Sequence, residues 1–283
     1  MLGSRQADFA ALDLSAVEAL ILDIDGVLYE GQRALPGAVE LVTWLNAHSF
    51  PYVLFSNNTT RAFQGHVDQL AGLEMPVPAA SILTAARVTA AVLAAESPGA
   101  LCLAVGEAGL SEALQAAGLD LLQDWADSRL EHGGVKYVVV GLDREFSYEK
   151  LRIATRALRK GAELISSNPD LLYPNGDELI PASGVIQAAL EAAGGVTARV
   201  IGKPELAGFR LALQILGCSP HQVAMLGDQL GTDILGAKRA GLRTFLVLSS
   251  ITPFFDPHAA PVQPDGVTPS TLDFFQQWVR QKE

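Results

Sequence analysis

The chain has 283 residues, 49% of them hydrophobic and 18% charged, a balance that supports at least one buried core and excludes a disordered or low-complexity protein. Its 31 Asp and Glu outnumber 20 Lys and Arg, for a net charge of -11, which sets aside sequence-independent attraction to nucleic-acid backbones and anionic membranes. No apolar run reaches the roughly 18 residues that span a bilayer, and the opening MLGSRQADFAALDLS lacks a basic start and an apolar signal core, so a cytoplasmic protein is expected. Cys102 and Cys218 stand alone in apolar stretches (ALCLAV, ILGCSP), which predicts small buried thiols and neither a disulfide framework nor a CxxC metal pair.

In chain order, residues 19–24 (ALILDI) read as a strand. A Gly-containing turn follows, then a helix with Pro36 in its first turn, running through Val39, Leu41, Val42 and Leu45. Residues 52–55 form a second strand ending in Ser56-Asn57-Asn58, and a helix starts near Arg61 before Met75-Pro76-Val77-Pro78 breaks the pattern. The alternation restarts with helix 85–95, strand 101–105, helix 110–117, strand 137–140, helix 148–160, strand 164–166 and the turn-rich loop 167–175. The last stretch offers helix 185–193, strand 199–201, helix 206–216, strand 223–226, helix 233–240, strand 244–248 and helix 271–280. Strands crossing over through helices predict an α/β protein with parallel sheets, its middle part a second α/β unit inserted in the first. No G-x-G-x-x-G follows a strand, so dinucleotide binding has no support beyond fold class.

In open α/β sheets ligands bind outside the carboxyl ends of the strands, and four such ends are polar here. Asp23-Ile24-Asp25-Gly26 closes the first strand. Two carboxylates at about 4 Å repel by roughly 4 kcal/mol at an effective dielectric of 20, so something must offset them. Ser56-Asn57-Asn58 brings a hydroxyl and two amides able to donate to an anion. In Gly202-Lys203-Pro204 the proline holds Lys203 extended and starts the next helix, which supplies one fixed positive charge. Gly227-Asp228, with Asp233 beyond, adds further carboxylates. Where these ends meet, three or four carboxylates face one lysine, a balance that calls for a hard cation with oxygen ligands such as Mg2+.

The segments LDIDGVLYEG (22–31), FSNN (55–58), SSNPDLLYP (166–174), IGKPE (201–205) and MLGDQLGTDILGAKRAGLRT (225–244) resemble the haloacid dehalogenase (HAD) superfamily of phosphatases, in its NagD-like, 4-nitrophenyl phosphatase branch. The resemblance implies a Rossmann-like, doubly wound parallel core sheet built from residues 1–80 and 182–283, with an inserted α/β cap over 81–181. It further implies that Asp23 is the nucleophile and Asp25 the general acid and base. Ser56 and Lys203 would hold the phosphoryl group with Asn57 and Asn58 lining the same pocket. Mg2+ would bind to Asp23, to Asp25 through its backbone carbonyl and to Asp228, with Asp233 in support. Loop 168–175 becomes a cap or hinge element, and Tyr173 either touches substrate or packs the hinge. Ala182-Ser183-Gly184 departs from the family's Pro-Gly-containing turn, and Gln229 and Gly231 lie at variable positions.

The expected activity is Mg2+-dependent hydrolysis of small phosphorylated metabolites through an aspartyl phosphate. A phosphotransferase or phosphomutase on the same scaffold, and a non-catalytic binding protein, remain as alternatives. Neither nucleic acid nor membrane is an expected partner, and a homodimer through the cap is compatible with this organisation. None of His48, His66, His132, His221 and His258 falls in a motif, and all five read as surface or structural.

Overall fold

A computed structural model describes residues 11–122, 129, 134–175 and 178–282; residues 1–10 and His132 lie outside it. The chain forms two compact units, one of Met1–Leu54, Leu73–Met75 and Leu213–Glu283, the other of Phe55–Gly72 and Pro76–Ala212.

The first unit is built on a parallel sheet in the order Gly266–Thr268, Arg243–Val247, Val223–Gly227, Ala19–Leu22 and Tyr52–Ser56. The last of these strands carries the chain into the second unit at Phe55. Ala19–Leu22 is buried at every position, as a strand covered on both faces must be. Helix Ala38–Ala47 buries Ala38, Leu41, Val42 and Leu45, the stripe its 3.6-residue period predicts. It lies beside the final helix Thr271–Lys282, where the Trp44 and Trp278 rings meet edge to face at 5.8 Å. Gly37, at a φ of 85°, starts the first of these helices; a Cβ there would fall 2.3 Å from the Leu272 backbone.

The second unit holds a five-stranded parallel sheet in the order Arg199–Val200, Glu163–Ser166, Tyr137–Val140, Leu101–Val105 and Asp120–Leu122. Its core joins Val105, Val138, Val140 and Leu164 to Ile153, Ala154, Ala157 and Leu158 of helix Tyr148–Arg159, and to Ile186 and Leu190 of helix Ser183–Gly194. That helix and the edge strand Arg199–Val200 carry this structural unit past residue 181, the expected end of the insertion.

Several elements depart from expectation for identifiable reasons. The first strand ends at Leu22, because Ile24 already accepts the turn bonds from the Val27, Leu28 and Tyr29 N–H groups. Part of loop 167–175 is instead the first arm of an antiparallel hairpin, Leu172–Asn175 with Glu178–Pro181, hidden in the sequence by Pro174. Helix 233–240 divides into a wide π-type turn, Leu230–Ile234, and a short helix, Leu235–Arg239. Helix Leu206–Leu216 begins two residues after Pro204. Cys102 is a buried free thiol whose pKa burial pushes up to about 12, whereas Cys218 is half-buried. No helix of the described residues is long and apolar enough to cross a membrane.

His66, on helix Phe63–Gly72, is completely buried, and neither ring nitrogen has a hydrogen-bond partner among the described residues. Burial first, and the Arg61 guanidinium second, press its pKa down to about 4. In the unfolded chain it titrates near 6.5. Between those values the unfolded state binds the extra proton, so stability present above about pH 6.5 is lost as pH falls towards 4. We expect denaturant-unfolding free energy to drop by about 2 kcal/mol more between pH 7 and pH 5 in the wild type than in His66→Leu. Equal pH slopes in the two proteins would remove His66 as the source.

Candidate active site

Three carboxylates meet in the first unit. Asp23 directly follows Ala19–Leu22, and its N–H donates to the Leu226 carbonyl at 2.9 Å, one step beyond the Leu22–Leu226 register pair. Asp228 follows Val223–Gly227 in the adjacent strand, and Asp233 lies on the π-type turn, a feature often found at functional sites. One oxygen from each of Asp23, Asp228 and Asp233 lies within 4.8 Å of the other two, and all three residues are buried.

Two close approaches hold this arrangement. A Cβ on Gly227 would fall 2.4 Å from that of Asp233, so the strand end can be only glycine. The Gln229 N–H then donates to Asp233 Oδ2 at 3.1 Å. Gly26, at a φ of 85°, sits where a Cβ would come within 2.2 Å of Asp228 Oδ2. Its N–H donates to the Tyr29 carbonyl at 3.0 Å, closing the turn that carries Asp25. Asp25 itself is half-buried, outside the three-carboxylate group, and bridges to Tyr29 through its backbone. These buried carboxylates could hold a cation, and their all-oxygen donor set suits a hard dication better than a soft metal.

A polar cradle occupies the second unit. Lys203 is 1% exposed, and its Nζ donates to the Phe55 carbonyl at 2.8 Å while standing 5.2 Å from the Phe55 ring centroid. That ring is fixed by Phe209, edge to face at 5.4 Å, and by Gly208, whose missing Cβ would overlap it. Asn57 pins the Lys203 backbone from both sides: the Lys203 N–H donates to Asn57 Oδ1 at 3.1 Å, and Asn57 Nδ2 donates to the Lys203 carbonyl at 3.3 Å. The Lys203-Pro204 peptide is cis. Ser56 is buried, and its hydroxyl accepts the Asn58 N–H at 3.0 Å. Asn58 spends its amide oxygen on its own turn, accepting from the Thr60 N–H and hydroxyl.

Sequence reasoning passed over two further members of this cradle. Asn168 Nδ2 donates to the Asn57 carbonyl at 2.9 Å, and Asp170 Oδ2 accepts from Asn57 Nδ2 at 3.4 Å. Their signal was present as the Asn-Pro-Asp turn, without an indication of its partner. The departing triplet Ala182-Ser183-Gly184 clamps this turn: the Ser183 hydroxyl donates to the Asn168 carbonyl at 2.8 Å, and the Gly184 N–H to the Asp170 carbonyl at 2.8 Å. Tyr173 is half-buried on the hairpin opposite Ile180. Glu107 first, and Tyr173 after it, hold the Arg144 guanidinium above its ordinary pKa. Glu107 grips Arg144 with both oxygens, at 2.7 and 2.6 Å.

Comparison with known proteins agrees with these features. The haloacid dehalogenase-like hydrolase family matches residues 20–120, and a HAD-hydrolase-like family matches residues 200–274. The chain is 35% identical to the acid sugar phosphatase of Staphylococcus aureus over 247 residues, which covers 87% of this chain and 92% of that protein. Among solved structures, the p-nitrophenyl phosphatase of Archaeoglobus fulgidus superposes with a TM-score of 0.82 at 33% identity, over 92% of this chain and 98% of that one. NagD of E. coli K-12 gives a TM-score of 0.79 at 30% identity, over 91% and 98%. A parallel core sheet ending in buried aspartates, a second parallel sheet and these matches together place the chain in the haloacid dehalogenase-like hydrolases, in the NagD/p-nitrophenyl phosphatase subfamily of HAD-type phosphatases.

Proposed function

We propose that the protein hydrolyses monoesters of small phosphorylated metabolites, phosphorylated sugars foremost, in a Mg2+-dependent reaction through an aspartyl phosphate. The observation that carries this reading is the buried group of Asp23, Asp228 and Asp233 at the ends of neighbouring strands. The name of the Staphylococcus aureus relative supports the choice of sugar phosphates.

Mg2+ held by these carboxylates, with the Asp25 carbonyl, would supply the positive charge that lets a carboxylate approach a phosphate dianion. Asp23 attacks phosphorus: its oxygen–phosphorus bond forms as the ester bond breaks, and Asp25 passes a proton to the departing oxygen. Asp25 then takes a proton from water, whose oxygen displaces Asp23 and releases inorganic phosphate. Ser56 and Lys203 hold the phosphoryl oxygens, and the buried Lys203 ammonium offers charge that solvent does not screen. Asn57 sets the position of Lys203 through its two backbone bonds, and Asn58, lining the same pocket, holds its own turn to Thr60. The reading assigns catalysis to 1–80 with 182–283 and substrate choice to the insertion from 81; the edge strand Arg199–Val200 supports extending that insertion beyond 181.

The test is phosphate release from a panel of esters, including sugar phosphates, glycerol phosphate, phosphoglycolate, pyridoxal phosphate and nucleotides, with and without chelator. Release that chelation abolishes is expected, without transfer to an added acceptor alcohol. Chelator-resistant release, or none from any ester, would overturn the reading.

In this reading Tyr173 contacts the part of the substrate remote from phosphorus. Because such binding energy is realised selectively, Tyr173→Ala should lower kcat/KM for the best ester at least about tenfold while barely affecting 4-nitrophenyl phosphate. Equal losses on every ester would mean that Tyr173 packs the hinge.

A further inference from the structure

We infer that Ser249, outside every motif of the family resemblance, is a positioning residue for Asp228, holding that carboxylate in the geometry in which it binds the metal. The Ser249 hydroxyl donates to Asp228 Oδ2 at 2.7 Å. The Ser249 hydroxyl oxygen in turn accepts the Ile251 N–H at 3.1 Å and the Thr252 N–H at 3.2 Å. A serine hydroxyl has one proton and two lone pairs. With both lone pairs engaged by the backbone, the proton has one direction left, towards Asp228. The loop therefore aims the hydroxyl: the Ser249 N–H donates to the Thr252 carbonyl at 3.1 Å, folding 249–252 around its oxygen.

The placement follows from the sheet. Ser249 lies just beyond strand Arg243–Val247, which pairs with Val223–Gly227 in the register Gly227 to Leu246, so the two strand ends deliver Ser249 and Asp228 side by side. On another side Asp228 Oδ2 presses against Gly26, where no Cβ would fit. Hydroxyl and glycine together fix the carboxylate plane about its Cβ–Cγ bond. Metal affinity depends on such outer contacts because a ligand left to rotate must be ordered when the ion arrives, and losing one typically costs 10- to 100-fold in affinity.

The inference rests on the Mg2+ reading of the three carboxylates, and the experiment separates the two. The whole chain, stripped of metal, is titrated with Mg2+ alone in a calorimeter, and its melting temperature is recorded in chelator. Ser249→Ala is expected to raise the Mg2+ dissociation constant at least tenfold. Ser249→Thr should stay within threefold of wild type, while Ser249→Val, isosteric with the threonine variant, should behave as Ser249→Ala, and the Thr–Val pair isolates the hydroxyl at constant shape. At saturating Mg2+ the kcat of Ser249→Ala should return to near the wild-type value. A serine that only braces its loop would lower the metal-free melting temperature and leave the dissociation constant within threefold, and that result overturns the inference. Wild-type protein that binds no Mg2+ overturns it together with the metal reading. Should Ser249→Ala not fold, the Thr and Val replacements decide by the same comparison.

Discussion

Asp23→Asn should release no measurable 4-nitrophenolate from 4-nitrophenyl phosphate, a loss of at least about 10⁴-fold in kcat, from a protein that folds as well as the wild type. An amide nitrogen or neutral carbonyl oxygen cannot form the acyl phosphate, so the covalent route closes entirely. The fold should survive because Asp23 is buried beside Asp228 and Asp233, and the replacement keeps its shape while removing one of three mutually repelling charges. Melting temperature in chelator, measured alongside the rate, separates lost chemistry from lost structure. Asp25→Asn should retain more, falling about 10²- to 10⁴-fold, since a general acid assists a bond change that the nucleophile must make. Turnover near wild type in Asp23→Asn would remove the nucleophile assignment, and a larger loss in Asp25→Asn would reverse the two roles.

The aspartates were readable in the sequence because they interrupt apolar runs. Asp23 and Asp228 each follow several buried residues, and in a parallel sheet such strand ends share an edge. Lys203 and Asn57 were individually legible, but the two backbone bonds joining them across 146 positions were not, since a non-local bond leaves no periodicity behind. Ser249 left no trace at all. One serine after a strand is ordinary loop chemistry until the register of Arg243–Val247 against Val223–Gly227 shows what it faces. Short elements disappeared for a related reason: Gly266–Thr268 is three residues long, and the Leu172–Asn175 arm contains a proline, so neither shows the alternation that marks a strand. The reach of the second sheet to Arg199–Val200 was hidden because a two-residue edge strand carries no signal of which sheet it joins.

Asp228→Asn should invert in its effect on stability with the metal present or absent. One carboxylate oxygen from each of Asp23, Asp228 and Asp233 lies within 4.8 Å of the other two, a separation at which a pair of charges repels by about 3.5 kcal/mol at an effective dielectric of 20. Neutralising Asp228 removes two of the three pairwise repulsions, and its amide oxygen can still accept from the Ser249 hydroxyl. In chelator the variant is therefore expected to melt higher than wild type by at least about 3 °C, the shift that roughly 1 kcal/mol produces in a chain of this size. Mg2+ at a hundred times its dissociation constant should add about 2.7 kcal/mol to the wild type by mass action, because the unfolded chain has no such site. The variant, left with two charges where the ion needs three, should gain little, so the order of melting temperatures crosses as Mg2+ is added. That crossing is the signature of carboxylates assembled for a cation at the expense of the fold. Wild-type and variant curves that rise in parallel, or a wild type insensitive to Mg2+, would show that neighbouring protein groups already compensate the three aspartates and that no metal completes the site.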